Sequence, residues 1–169
     1  MINPFYKPSL LKWIDKMFRH AEKNQWFETY WGFDVHGVIS RPDYRKTTKS
    51  INYFPYAKET LQLISKREDI IMFLFTSSYP DEIKEYIETF KNDGINFKYV
   101  NENPEISAET GCFGYYYQKP YYNVLFEDKS GFNPLTDWKP IYNYFKKIKY
   151  KPSTDWTFKK KESYHKIQS

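Results

Sequence analysis

Four short apolar runs alternate with stretches whose apolar residues recur at helical spacing, and that alternation limits the fold more than any other feature of the chain. The runs cover roughly 28–34, 69–75, 97–100 and 122–126. Each is bounded by polar or turn-forming residues, the mark of a buried strand. Ahead of the first run, Leu11, Ile14, Phe18 and Ala21 share a helical face behind Ser9 as an N-cap. Ala57, Leu61 and Ile64 share another behind Pro55, and Ile83, Tyr86, Ile87 and Phe90 follow Pro80 and stop at Asp93-Gly94. The final helix, over about 135–148, gathers Ile141, Tyr144, Phe145 and Ile148. Strand and helix in alternation predict a three-layer, Rossmann-like α/β domain with a mainly parallel sheet and helices on its faces.

With 169 residues the chain reads as a single domain over 1–149, N-terminal helix included, followed by a basic tail over 150–169. Mean hydropathy is low at -0.81, yet aromatic residues reach 21%, which excludes a disordered chain and predicts a core built from Tyr, Phe and Trp. The single cysteine, Cys112, excludes an internal disulfide and suits a reducing compartment. No run approaches the ~18 apolar residues of a membrane span, and the first residues lack a signal-peptide block. A cytoplasmic protein with no membrane partner is the expectation. Net charge is +5, but residues 141–169 carry eight lysines against Asp155 and Glu162, so the rest of the chain sums to -1. The basic end suits a polyanion such as nucleic acid, or is a solvated lysine-rich terminus.

Polar groups stand at the ends of three of the runs. The first ends at Asp34 and continues Val35-His36-Gly37-Val38-Ile39, the second ends in Thr76-Ser77, and the fourth ends in Glu127-Asp128 with Lys119 just ahead of it. Parallel strands share a carboxyl edge, where ligands of open α/β sheets bind, so these distant residues should converge. Carboxylates from two strand ends suit a hard, oxygen-seeking cation such as Mg²⁺. A hydroxyl with a lysine suits phosphate, and a free carboxylate oxygen beside a metal-bound phosphoryl group is a nucleophile. Each feature has a plainer reading: Thr76-Ser77 as a cap for the next helix, Glu127-Asp128-Lys129 as a charged turn with its own ion pair, Asp137 as dipole complement to the last helix. Cys112 reads as inert packing, and the triplet Tyr115-Tyr116-Tyr117 as core, surface or pocket wall.

In order and placement, the set is similar to the haloacid dehalogenase-like (HAD) phosphohydrolase superfamily. There a strand ends D-x-D-G-[TV], a second ends in Thr or Ser, a Lys follows, and a later strand ends in an acidic pair. The resemblance covers about residues 30–132 and implies a HAD core without a separate cap domain. It implies Asp34 as nucleophile and Mg²⁺ ligand, Thr76 and the Ser77 backbone N–H as phosphoryl holders, and Lys119 as charge neutraliser. Asp128 would complete the metal site, with Glu127 its competitor. The activity implied is Mg²⁺-dependent phosphomonoester hydrolysis through an aspartyl-phosphate, on a phosphorylated small molecule, a nucleotide or a nucleic-acid end.

The departure is His36, where the family carries its second, proton-transferring aspartate. Imidazole is a competent acid–base, and the His36 backbone carbonyl suffices as a metal ligand, so His36 stays in both the catalytic and the metal set. The same substitution favours a catalytically weakened phospholigand- or protein-binding module. A nucleic-acid-binding protein that uses its basic tail is the other rival.

Overall fold

The computed structural model describes residues 8–42, 51–106 and 119–156. Cys112, Tyr115 to Tyr117 and most of the basic tail lie outside the described residues, as does much of the connection expected between 40 and 55. Along the chain come α1 (Ser9–Asn24), β1 (Thr29–Phe33), α2 (Ala57–Ser65), β2 (Ile70–Leu74), α3 (Pro80–Asn92), β3 (Tyr99–Val100), β4 (Val124–Phe126) and α4 (Trp138–Lys147). The strands form one sheet in the order β3-β2-β1-β4, and every pairing is parallel. With the flanking helices this is a Rossmann-like three-layer α/β fold.

Alternation along β1 divides the core. Trp31 and Phe33 face the helices: Trp31 packs against Phe18 of α1 and Phe145 of α4, and Phe33 stacks on Phe126 at 4.3 Å between ring centroids. Phe126 stacks in turn on Trp138, and α3 reaches the cluster through Phe90 and Phe97. The aromatic core foreseen from composition is therefore a continuous column of rings, each pair worth about 0.5–1.5 kcal/mol beyond its buried area. On the opposite face Tyr30 meets Tyr121 and donates to Glu105, both from the β3–β4 connection. Gly32 sits on that face because a Cβ there would lie 2.8 Å from the Phe73 ring and 3.0 Å from Leu125. The β3–β4 connection thus packs on this face of β1 through Tyr121 and Glu105.

Several element ends move from their expected places, each for a local reason. Pro8, not Ser9, occupies the cap position of α1, and Ser9 is its first helical residue. Pro55 precedes α2 in a turn closed by the Ala57 N–H to the Phe54 carbonyl, with Tyr56 at φ +68°. β4 starts at Val124 because Asn123 brackets Tyr30 from both sides: its side-chain carbonyl takes the Tyr30 N–H and its own N–H goes to the Tyr30 carbonyl. α4 waits until Trp138 because Asn133 and Asp137 exchange side-chain and backbone hydrogen bonds in the turn before it. β3 keeps only two residues at the sheet edge.

Strand order decides where a site can form. β2 follows β1 on one side, and β4 joins β1 on the other only after the chain has crossed back from β3. The crevice beyond the carboxyl ends of β1 and β4 is thus the topological switch point, the place where ligands bind in open α/β sheets.

Candidate functional site

Three carboxylates meet at that switch point. Asp34 leaves the end of β1, Glu127 and Asp128 leave the end of β4, and one oxygen from each lies within 4.8 Å of the others. The Asp34 N–H donates to the Phe126 carbonyl, so the β1–β4 ladder itself carries Asp34 into place. Its Oδ1 accepts the Val35 N–H at 2.7 Å. Burial pushes the Asp34 carboxyl above its ordinary range, and Asp128 adds to the push; the Val35 N–H, Lys129 and His36 oppose it without reversing it. Glu127 is likewise raised, first by burial, then by its contact with Asp128 and the charge of Asp34.

The turn Asp34 to Ser40 is built to admit the neighbouring strand. Gly37 has φ +79°, which strains any other residue, and a Cβ on it would stand 2.5 Å from Asp128 Oδ2, so a side chain there would push the Asp128 carboxylate from its place. The turn is held by the Ile39 and Ser40 N–H groups on the Val35 carbonyl and by the Gly37 N–H on the Ser40 carbonyl. From α4, the buried Trp138 indole donates to the Val38 carbonyl at 2.8 Å. On the other strand end, Asp128–Ser130 make a 3-10 turn in which Glu127 accepts the Lys129 N–H, and Gly131 at φ +96° closes it.

The other residues expected at the site are placed differently from one another. Thr76 is buried beyond the end of β2, and its hydroxyl lies 3.0 Å from that of Ser78. Asn101, at φ +55°, grips the Thr76 peptide from both sides, its Oδ1 accepting the Thr76 N–H and its Nδ2 donating to the Thr76 carbonyl. Ser77 is exposed. The His36 ring does not join the carboxylate trio; it turns to α3, with Nε2 3.2 Å from the Tyr86 hydroxyl and the rings edge to face. Lys119 is exposed ahead of β4. Among the described residues, the lysine within ion-pair reach of the trio is Lys129, 3.8 Å from Glu127 and 4.0 Å from Asp128.

Sequence reading thus overlooked Asn101, treated Lys129 as a turn residue, and missed the Gly37–Asp128 approach. Asn101 did leave a signal: an asparagine directly after a strand is among the few residues that adopt positive φ readily. Acid-rich and oxygen-only, the trio fits a hard divalent cation that keeps several waters, and nothing softer.

No protein-family model and no curated protein matches the chain. Among solved structures it is similar to "the conserved protein coded by locus from Bacteroides thetaiotaomicron", with a TM-score of 0.52 and 21% identity over 84% of this chain and 98% of that one. The likeness is one of fold. Among the described residues no helix is long and apolar enough to cross a membrane.

Proposed function

We propose that the chain is a HAD-like phosphatase that hydrolyses phosphomonoesters with Mg²⁺, through an aspartyl-phosphate on Asp34. The observation that carries this reading is the trio itself: carboxylates from two strand ends, at the switch point, with an oxygen of each within 4.8 Å of the others, beside a positive-φ glycine that leaves room for Asp128. Asp34, Glu127 and Asp128 would hold the ion, with the His36 backbone carbonyl as a further ligand. Bound there, Mg²⁺ supplies charge that offsets the repulsion between a carboxylate nucleophile and a phosphate dianion.

The chain's own residues do the rest. An oxygen of Asp34 attacks phosphorus, and the P–O bond to the alcohol breaks with its electron pair on the leaving oxygen, which takes a proton. His36, two residues on, is the donor in this reading. Water then gives a proton back to His36 as it attacks phosphorus, and the P–O bond to Asp34 breaks, returning Asp34 as a carboxylate and releasing inorganic phosphate. Thr76, held by Asn101, offers its hydroxyl to a phosphoryl oxygen. Lys129 contributes a cation at the rim, while the part given to Lys119 rests on the resemblance alone. A reducing, cytoplasmic setting suits a chain whose single cysteine is Cys112.

Turnover of p-nitrophenyl phosphate with Mg²⁺, in wild type and Asp34→Asn, tests the proposal. The expected result is activity in the first and none in the second. No turnover in either, with Mg²⁺ still raising the melting temperature, would support the second reading, a phospholigand- or protein-binding module. One observation favours that alternative: the His36 ring is engaged by Tyr86 rather than gathered with the trio.

A further inference from the structure

At the amino end of β4, away from the carboxylate trio, α1 and the run into β4 enclose a cleft of about 340 Å³. Trp13, Lys16, His20, Trp26, Tyr121 and Tyr122 line it. Trp13, Lys16 and His20 lie at i, i+3 and i+7, so they share one face of α1. The Trp13 indole N–H donates to the Asn123 carbonyl at 2.8 Å, which fixes the ring, yet Trp13 remains 47% exposed. Lys16 Nζ lies over one face of the Trp13 ring, 5.1 Å from its centroid, and His20 stands edge-on to Trp26 with ring centroids 4.9 Å apart. The solvent side of the same helix carries Lys12, Lys16, Arg19 and Lys23, all exposed.

Fixed, half-open aromatic faces flanked by cations are what unstacked bases and their phosphodiesters require: the ring face takes a base of any identity and the ammonium takes the backbone charge. A small apolar ligand would leave the cations without use, and a compact phosphate would leave the indoles without use. We infer that this cleft binds single-stranded nucleic acid, with bases on Trp13 and Trp26 and the phosphodiester passing Lys16. β4 is an edge strand of the sheet, and Asn123 precedes Glu127 by four residues. That is about 13 Å of extended chain, a span a short single strand covers. Resting on the phosphatase reading above, the inference names its substrate: the phosphorylated end of a strand whose body lies in the cleft.

Fluorescence anisotropy of labelled dT8 and rU8 with the full chain carrying Asp34→Asn tests this without turnover. Trp13→Ala is expected to weaken the strand about tenfold or more. Lys16→Ala is expected to weaken it severalfold and to lower the slope of log affinity against log salt by about 0.7. The preference between the two probes assigns DNA or RNA. With Asp34 restored, both cleft variants should hydrolyse p-nitrophenyl phosphate like wild type, since that substrate is too small to span the distance. Strand binding that depends on Trp13 and Lys16, in a chain that never hydrolyses p-nitrophenyl phosphate, keeps the cleft and removes the phosphatase. The inference is overturned if neither strand binds, or if Lys16→Ala, a surface change that leaves the fold intact, binds it as the parent does with an unchanged salt slope.

Discussion

Two groups of carboxylates in this molecule are built from the same residue types and end in opposite electrostatic states. Asp93, just past α3, accepts the Tyr53 hydroxyl at 2.7 Å and Lys58 Nζ at 2.5 Å. Glu105 accepts Lys98, Tyr99 and Tyr30. Burial pushes both upward, but their lysine and phenol donors outweigh it and hold them below the usual carboxylate range. Among the described residues, the trio at the switch point receives the Val35 and Lys129 backbone N–H groups and an exposed ammonium, and Asp34 and Glu127 stay raised. Where the fold wants a silent carboxylate it surrounds it with its own donors. Where it gathers three, the described donors do not outweigh burial, which is the condition the proposed cation site requires.

The sharpest way to break the comparison is to neutralise one carboxylate of each kind. Asp34→Asn should lower phosphatase turnover by at least about 10³-fold, while in EDTA at neutral pH its melting temperature should match or exceed that of wild type. Asp93→Asn should do the reverse, leaving turnover intact and lowering the melting temperature. If Asp34→Asn unfolds the chain as readily as Asp93→Asn does, the trio is structural and the contrast disappears.

Gly37→Ala attacks the same place sterically. A side chain at φ +79° and a Cβ against Asp128 should together cost about 1–3 kcal/mol of stability and raise the Mg²⁺ concentration needed for half-maximal turnover. Gly131→Ala is the control, because its φ is also positive at +96° while nothing lies within 4 Å of its Cβ. It should lose stability with no change in Mg²⁺ requirement.

A pH series then separates the two groups by sign. Asp34 and Glu127 have folded values above their unfolded ones, so the native state holds extra protons and loses stability as pH climbs above about 4 through those raised values. Asp93 and Glu105 have depressed values, so their contribution is present at neutral pH and is lost as pH falls through those values. In EDTA, Asp34→Asn should therefore gain on wild type as pH rises from 4 to 7, and Asp93→Asn should approach wild type as pH falls below about 4. Mg²⁺ at a hundred times its dissociation constant should add about 2.7 kcal/mol to wild type and far less to Asp34→Asn. Denaturant midpoints at each pH read all of these.

Much of this arrangement was legible from residues alone, and what was hidden has a common cause. Helical stripes such as Leu11-Ile14-Phe18-Ala21 and the apolar runs ending at Asp34 and Glu127 are local patterns, and the sheet forms from them where expected. Parallel strands then force their ends together, which is why a pair 94 positions apart in the sequence, Asp34 and Asp128, were readable as neighbours. Side-chain direction is not local. His36 turns to Tyr86 because α3 lies beside the turn, and Asn101 finds Thr76 because β3 pairs with β2. The approach of Lys129 to the acidic pair follows from the 3-10 turn that Gly131 closes, a geometry that the letters Glu-Asp-Lys-Ser-Gly do not announce.

Lys129 gives the smallest expected effect and the finest test of the contrast. Its side chain is 83% exposed, and its ion pairs of 3.8 and 4.0 Å are long. Lys129→Ala should therefore cost no more than about 0.5 kcal/mol at moderate salt, less than Lys58→Ala, which strips Asp93 of a 2.5 Å partner. Its pH dependence carries the information. Lys129 favours the ionised form of Asp34, so removing it raises that carboxyl further, and the small loss should grow as pH rises through the Asp34 value. Mg²⁺ should erase the growth, because the ion takes over the neutralisation that Lys129 performs from the rim. A loss that is flat with pH, or that survives saturating Mg²⁺, would mean that Lys129 acts through the turn it sits in and not through the charge of the trio.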